Sequence, residues 1–149
     1  MMLNNSDIRI RKSTGADYSA VAELLQSASL PIEGIADHFQ NFLVADHEGK
    51  LIGAIGLEQY DRTALLRSAV VHPSFRNKGV GSLLYTHVIE NAKRAGVRIL
   101  ILLTTTAEKY FSSKGFTKID ARNVSGPITS SVEFKGACPS TAVCMELRL

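Results

Sequence analysis

Val70-Val71-His72-Pro73-Ser74-Phe75-Arg76-Asn77-Lys78-Gly79-Val80-Gly81-Ser82-Leu83 runs from an apolar strand, through a basic glycine-containing turn, into a helix. A helix N-terminus carries unpaired N–H groups and a partial positive charge. Phosphate oxygens are good partners for both. Gly79 and Gly81 lack the Cβ atoms that would hold a ligand off the backbone, and Arg76 and Lys78 add charge at the mouth. The segment therefore reads as an anion seat. It suits equally a tight strand-to-helix turn with two incidental cations. It has neither the Gly-Lys-Ser/Thr ending of a Walker loop nor the third Gly of a dinucleotide fingerprint.

Outward from this turn, the helix Val80–Ala95 buries Val80, Leu83, Leu84, Val88 and Ala92, with Gly96 as its natural stop. Ile99–Leu103 is an unbroken apolar run, as in a strand covered on both faces. Ala107–Lys114 reads as a short helix ended by Gly115, Phe116–Ile119 as a strand, and Ala142–Leu149 as a last strand. Between them Asn123–Phe134 is ambiguous, with Pro127 able to open a helical turn.

Upstream, Ile8–Arg11 alternates as a short strand, and Thr14 with Asp17 forms a capping-box pattern. Val21, Leu24, Leu25 and Ala28 then mark an amphipathic helix ended by Pro31, and residues 32–39 form a second short helical piece. Asn41–Ala45 and Leu51–Glu58 form a hairpin around a polar turn, and Ala64–Val71 is the next strand. Gly53 and Gly56 mark close packing in the second hairpin strand. The order predicts an α/β fold, a mixed sheet with helices on both faces.

The chain has 149 residues, which suits one domain over 1–149, and 45% apolar residues, enough for a core. Its 17 Lys and Arg against 14 Asp and Glu give a net charge of +3, too dispersed for a nucleic-acid footprint. No apolar run has the length of a membrane span. Met1–Asp7 lacks the pattern of a signal peptide, so a cytoplasmic location is expected. Cys138 and Cys144 match no zinc or redox spacing. They read as free thiols packed in a core, with a disulfide closing the short loop as the alternative. His38, His47 and His87 form no spaced set with carboxylates, so no metal is expected. His72, ahead of Pro73, reads as structural.

Arg76-x-x-Gly79-x-Gly81 resembles the Gln/Arg-x-x-Gly-x-Gly/Ala signature of the GNAT superfamily of N-acetyltransferases. Val70–Pro73 is similar to its central strand and hydrophobic-His-Pro turn, and Ala107–Phe116 to its short helix ending in Gly-Phe. The resemblance implies a GNAT fold with a V-shaped splay between Ala64–Val71 and Arg98–Thr105. Acetyl-CoA would lie in the splay. Main chain of Ala69, Val70 and Val71 would pair with its pantetheine arm. Backbone N–H groups from Arg76, Asn77, Lys78, Gly79, Val80, Gly81 and Ser82 would hold its pyrophosphate. A homodimer joined along an edge or splayed strand is also implied.

Leu102–Phe111 and the Glu133–Met145 tail resemble a subgroup of short amino-acid N-acetyltransferases, associated with glutamate acetylation or with arsenic-resistance operons. That implies acetyl transfer from acetyl-CoA to a small amine, an amino acid or an analogue. The different-class alternative is a non-catalytic CoA-binding regulatory module.

Many members of the superfamily place a Tyr acid four residues before the Gly of Gly-Phe. Here that position is Phe111, which cannot donate a proton and remains as a cofactor-contacting residue. Tyr110 is adjacent but rotated about 100° on a helix. Ser112 and Thr104, with its neighbouring threonines, are the replacement hydroxyls. Glu58 is the candidate base, acting through water, or else a solvated strand-end carboxylate. Arg67, within an apolar strand, either forks a substrate carboxylate, with Glu58 beside it in the acceptor site, or faces solvent or pairs with Glu58.

Overall fold

The computed structural model describes residues 7–137 and 140–149. Its strands are β1 (Arg9–Lys12), β2 (Phe42–His47), β3 (Lys50–Tyr60), β4 (Thr63–Val71), β5 (Ile99–Thr104), β6 (Thr117–Ile119) and β7 (Val143–Arg148). Its α-helices are α1 (Tyr18–Ser27), α2 (Ile35–His38), α3 (Val80–Arg94) and α4 (Glu108–Ser113). They form one mixed sheet ordered β1-β2-β3-β4-β5-β7-β6, in which only the β4–β5 pair is parallel. The last strand inserts between β5 and β6, a placement that linear order does not reveal.

The entry to α1 follows the capping pattern. Thr14 N–H donates to Asp17 Oδ2 at 2.8 Å, and Asp17 N–H donates to the Thr14 carbonyl at 2.9 Å. Arg11 reaches from β1 to the same carboxylate at 2.8 Å. That guanidinium holds Asp17 down at about 2. The first turn is a 3-10 turn, so α1 itself begins at Tyr18. The second helical piece splits into α2 and a 3-10 turn over Phe39–Asn41.

Two cores flank the sheet. α3 and α4 cover one face, where Val80, Leu84, Val88, Ala92 and Phe111 pack against Ile52, Leu66 and Leu100. Leu83 is only half-buried beside this core. α1 and α2 cover the other face through Val21, Leu25, Ile35 and Phe42. A third cluster around Leu65, Ile101 and Ile128 lies under the 3-10 turns of the ambiguous segment, one of which Pro127 opens. Among the described residues no helix is long and apolar enough to cross a membrane. Cys144 is a buried free thiol, whereas Cys138 lies outside the described residues.

Candidate active site: the groove between the splayed strands

A bulge in β4 creates the site. Ala54 pairs with Val70 and Gly56 with Arg67, so Ile55 faces two residues, Ser68 and Ala69. Ser68 takes φ +59°, which bends the strand. The extra residue shifts the side-chain phase. Ala64 and Leu66 face α3 before the bulge, while Val70 faces α1 after it. β4 and β5 pair only from Thr63↔Ile99 to Leu65↔Ile101. Beyond that β5 stays with β7 as far as Thr104↔Val143, and β4 diverges. Among the described residues the β5-facing edge of Ser68–Val71 is thereby left without a strand partner, a row of backbone donors and acceptors. Ala69 is exposed at this edge.

The strand edge leads into the glycine turn. His72 N–H donates to the Ile52 carbonyl at 2.7 Å, and His72 Nδ1 accepts from Ser74 N–H at 3.1 Å. His72 thus shapes the turn, as its position before Pro73 suggests. Asn77 and Gly79 both lie in the left-handed region, at φ +63° and +84°. The first bond of α3 runs from Leu83 N–H to the Gly79 carbonyl at 3.1 Å. The N–H groups of Val80, Gly81 and Ser82 therefore have no intrahelical acceptor. A Cβ on Gly79 would meet no atom within 4 Å, so the turn opens into free space. Arg76 Nε donates to the Val71 carbonyl at 3.2 Å, pinning that cation across the turn.

The resulting groove, of about 680 Å³, joins these parts. Ala69, Val70, Val71, Arg76, Asn77, Gly79, Val80, Gly81, Ser82, Thr104, Phe111 and Arg67 all line it. Lys78 is not among its lining residues; its ammonium sits 5.7 Å from the Phe75 ring centroid. Ser112 is exposed on α4 and does not line the groove, so the expectation of a hydroxyl there fails. Thr104 Oγ1 accepts from Ala107 N–H at 3.0 Å and shapes the entry to α4.

Glu58 corrects the sequence expectation more fully. It is 1% exposed, does not line the groove, and is no solvated strand end. Its Oε2 receives Arg67 Nη1 at 2.7 Å and its Oε1 receives the Tyr60 hydroxyl at 2.5 Å. Burial pushes this carboxyl up, but hydrogen bonds from Tyr60, Arg67 and Ser131 outweigh it and hold it below the usual range. An ionised, fully paired carboxylate out of reach of the groove is not placed to take an acceptor's proton. Burial and Glu58 in turn push Tyr60 up to about 12.

Arg67 has no exposed side-chain surface. It pairs with Glu58 and also with Glu133, whose Oε2 lies 3.2 Å from Nε. It further donates to the carbonyls of Glu33 at 2.8 Å and Pro31 at 3.2 Å, and to Ser68 Oγ at 3.1 Å. Of the sequence expectations for Arg67, pairing with Glu58 is the one the structure shows, and the side chain does not face solvent.

Two groove residues, Glu133 and Tyr85, were given no role by the sequence reading, and a third, Tyr110, was set aside. Glu133 was visible only as one charge in an ambiguous segment. Tyr85 lies on α3 four residues past Gly81, and its hydroxyl is pushed up by burial and by Tyr110. Tyr110 lines the groove beside Phe111 despite the angle between them: the two rings stand edge-on at 5.2 Å, and Tyr110 is also edge-on to Tyr85, to which Phe111 is tilted.

Residues 9–118 match the model of the acetyltransferase (GNAT) family. The chain belongs to this family. The GNAT domain is an acetyl-CoA-dependent N-acetyltransferase. It is 27% identical to an uncharacterized N-acetyltransferase of Chlorobaculum tepidum, over 97% of this chain and 96% of the relative. It is 28% identical to an amino-acid acetyltransferase of Vibrio cholerae, over 75% of this chain but only 27% of that protein. Thus the chain spans about a quarter of the length of the amino-acid acetyltransferase it matches. In fold it is similar to Neisseria gonorrhoeae N-acetylglutamate synthase complexed with coenzyme A and N-acetyl-glutamate. There the TM-score is 0.82 at 22% identity, covering 95% of this chain and 35% of the other. A Mycobacterium tuberculosis protein in complex with CoA gives 0.78 at 19% identity, covering 95% and 99%.

Proposed function

We propose that this GNAT domain acetylates the amine of a small acceptor, an amino acid or amino-acid analogue, with the acetyl donor lying in the groove between β4 and β5. The observation that carries the reading is the continuity of two backbone surfaces. The unpartnered edge of Ser68–Val71 runs directly into the open N-terminus of α3. An extended amide-bearing arm pairs with the first, and a pyrophosphate with the second.

Acetyl-CoA supplies the activated acetyl group. Ala69, Val70 and Val71 would hold its arm through the main chain. Asn77, Gly79, Val80, Gly81 and Ser82 would hold its phosphates through N–H groups, with Arg76 and Lys78 adding positive charge. Phe111 would form an apolar wall beside the arm. Two reactants fixed in one groove gain much of their rate from placement alone. The amino-acid acceptor class rests on the names of relatives such as the Vibrio cholerae enzyme.

A thiol-release assay with acetyl-CoA across the amino acids and their phosphorus or arsenic analogues tests the reading. Saturable CoA release with at least one of them is expected. Tight CoA binding by calorimetry, with no release on any acceptor, would replace transfer by a non-catalytic binding role.

A further inference from the structure

We infer that Tyr85, Tyr110 and Lys114 seat the adenosine end of the donor: the tyrosine rings stack its adenine, and the Lys114 ammonium takes its 3′-phosphate. This rests on the reading of the groove as the acetyl-CoA seat.

Position comes first. Gly81, Ser82 and Tyr85 all line the groove from α3. Residues one and four apart share a helix face, and Tyr85 lies about 6 Å along the axis from Gly81. Tyr110 lines the groove from α4 and stands edge-on to Tyr85, with ring centroids 6.5 Å apart. A pyrophosphate at the start of α3 divides the donor in two. The arm enters the splay along Ser68–Val71, so the adenosine must leave on the other side. There the gap between α3 and α4 offers it two aromatic side chains.

The rings are held firmly. Tyr85 rests on Phe111 and Phe116, each 6.5 Å away, and Tyr110 on Phe111 at 5.2 Å. Phe111 and Phe116 are themselves buried in the core under α3. Tyr110 nevertheless stays 38% exposed. A flat ring fixed from below and open above is a stacking platform for a base, at little entropic cost.

Lys114 supplies the charge. Its ammonium lies 5.5 Å from the centroids of both the Tyr85 and Tyr110 rings. Among the described residues it has no carboxylate partner, so an incoming phosphate displaces no ion pair. Lys78 near Phe75 offers a similar pair on the other side of the glycine turn. There, however, His47 and His72 already flank the one ring, at 5.4 and 6.0 Å. The α3–α4 gap has two rings and the more open surface. Lys114 also closes the C-terminal end of α4, where a cation suits the helix dipole, so binding must be separated from stability.

Calorimetry on the intact chain with CoA and dephospho-CoA, which lacks only the 3′-phosphate, makes that separation. The native protein is expected to bind CoA about three- to tenfold more tightly than dephospho-CoA. Lys114→Met is expected to abolish this preference and leave dephospho-CoA affinity within about twofold of native, while Lys114→Arg keeps the preference. Tyr110→Leu is expected to weaken both ligands by about fivefold or more, the worth of one stacked base. Equal affinity of the native chain for the two ligands would overturn the inference. So would a preference that survives in Lys114→Met, or one abolished by Lys78→Met in its place. Equal weakening of both ligands in Lys114→Met, with a lowered Tm, would make the role structural and also refute it. Failure of the native chain to bind either ligand would sink the underlying reading of the groove instead.

Discussion

Gly79→Val probes the phosphate seat most directly. Gly79 sits at φ +84° and ψ 2°, the position just ahead of α3. A β-branched residue in the left-handed region costs about 1–3 kcal/mol. No steric clash adds to this, because a Cβ there meets nothing within 4 Å. The strain has two outlets. If the turn keeps its shape, stability falls by that amount, about 2–4 °C in Tm for each kcal/mol in a chain of this size. If the turn relaxes instead, CoA must restore it on binding. The same 1–3 kcal/mol then appears as a roughly 5- to 150-fold rise in Kd. In either case the isopropyl group stands in the open space ahead of the helix, where phosphate oxygens would sit. Calorimetry with CoA, paired with a thermal melt, reads both outlets. Gly96→Val is the control. Gly96 has the same φ of +84° and a Cβ there meets nothing within 4 Å, but it does not line the groove, so the variant is expected to lose a comparable amount of stability and keep native CoA affinity. A folded Gly79→Val protein with native CoA affinity would refute the seat.

Arg67→Met leaves Glu58 and Glu133 buried without their shared cation, and a loss of about 3–5 kcal/mol is expected in urea unfolding. A midpoint within error of native would show that the pairs contribute nothing. Gly56→Ala places a Cβ inside the contact distance of the Phe42 ring, and overpacking of this kind costs about 1–3 kcal/mol, checked by the same unfolding curve. Burial, then Glu146 and Asp120, push the Cys144 thiol up to about 11, so its thiolate is scarce at pH 8. Peptide mapping after brief iodoacetamide treatment should find Cys144 unlabelled in the native protein and labelled in urea. Arg11 holds Asp17 at about 2, below its unfolded value near 3.8, so the pair stabilises the fold above pH 4 and that contribution disappears as pH falls through 2. The stability gap between native and Arg11→Met proteins should therefore be present at pH 5 and mostly lost by pH 2; a gap as large at pH 2 as at pH 5 contradicts the pairing.

Much of the fold was legible because it is locally encoded. The stripe of α1, its capping residues, the apolar run of β5 and the start of α3 each lie within a few consecutive residues. The splay itself was legible only through family resemblance. Its physical cause is the bulge at Ser68, and a serine at φ +59° leaves no mark in a hydrophobic pattern. Arg67 inside an apolar strand was the nearest signal, since a buried cation requires partners. The insertion of β7 beside β5 had no local signal at all, because pairing between distant strands depends on which edges remain open once the rest has packed.

The two ends of the groove differ in legibility for the same reason. The end proposed for the phosphates is one continuous segment, Val70–Ser82, whose backbone would do the binding, and glycines at fixed spacing declare such a surface. The opposite end is assembled from β3, β4, the α1–α2 connection and the segment around Glu133, held by one guanidinium. No spacing rule links these residues. Arg67 was singled out as a charge inside an apolar strand and Glu58 as a strand-end carboxylate near the splay, and the structure pairs them with each other. A third partner of the same guanidinium, Glu133, lies in a stretch whose pattern is ambiguous, so its place beside Arg67 had no signal in the sequence.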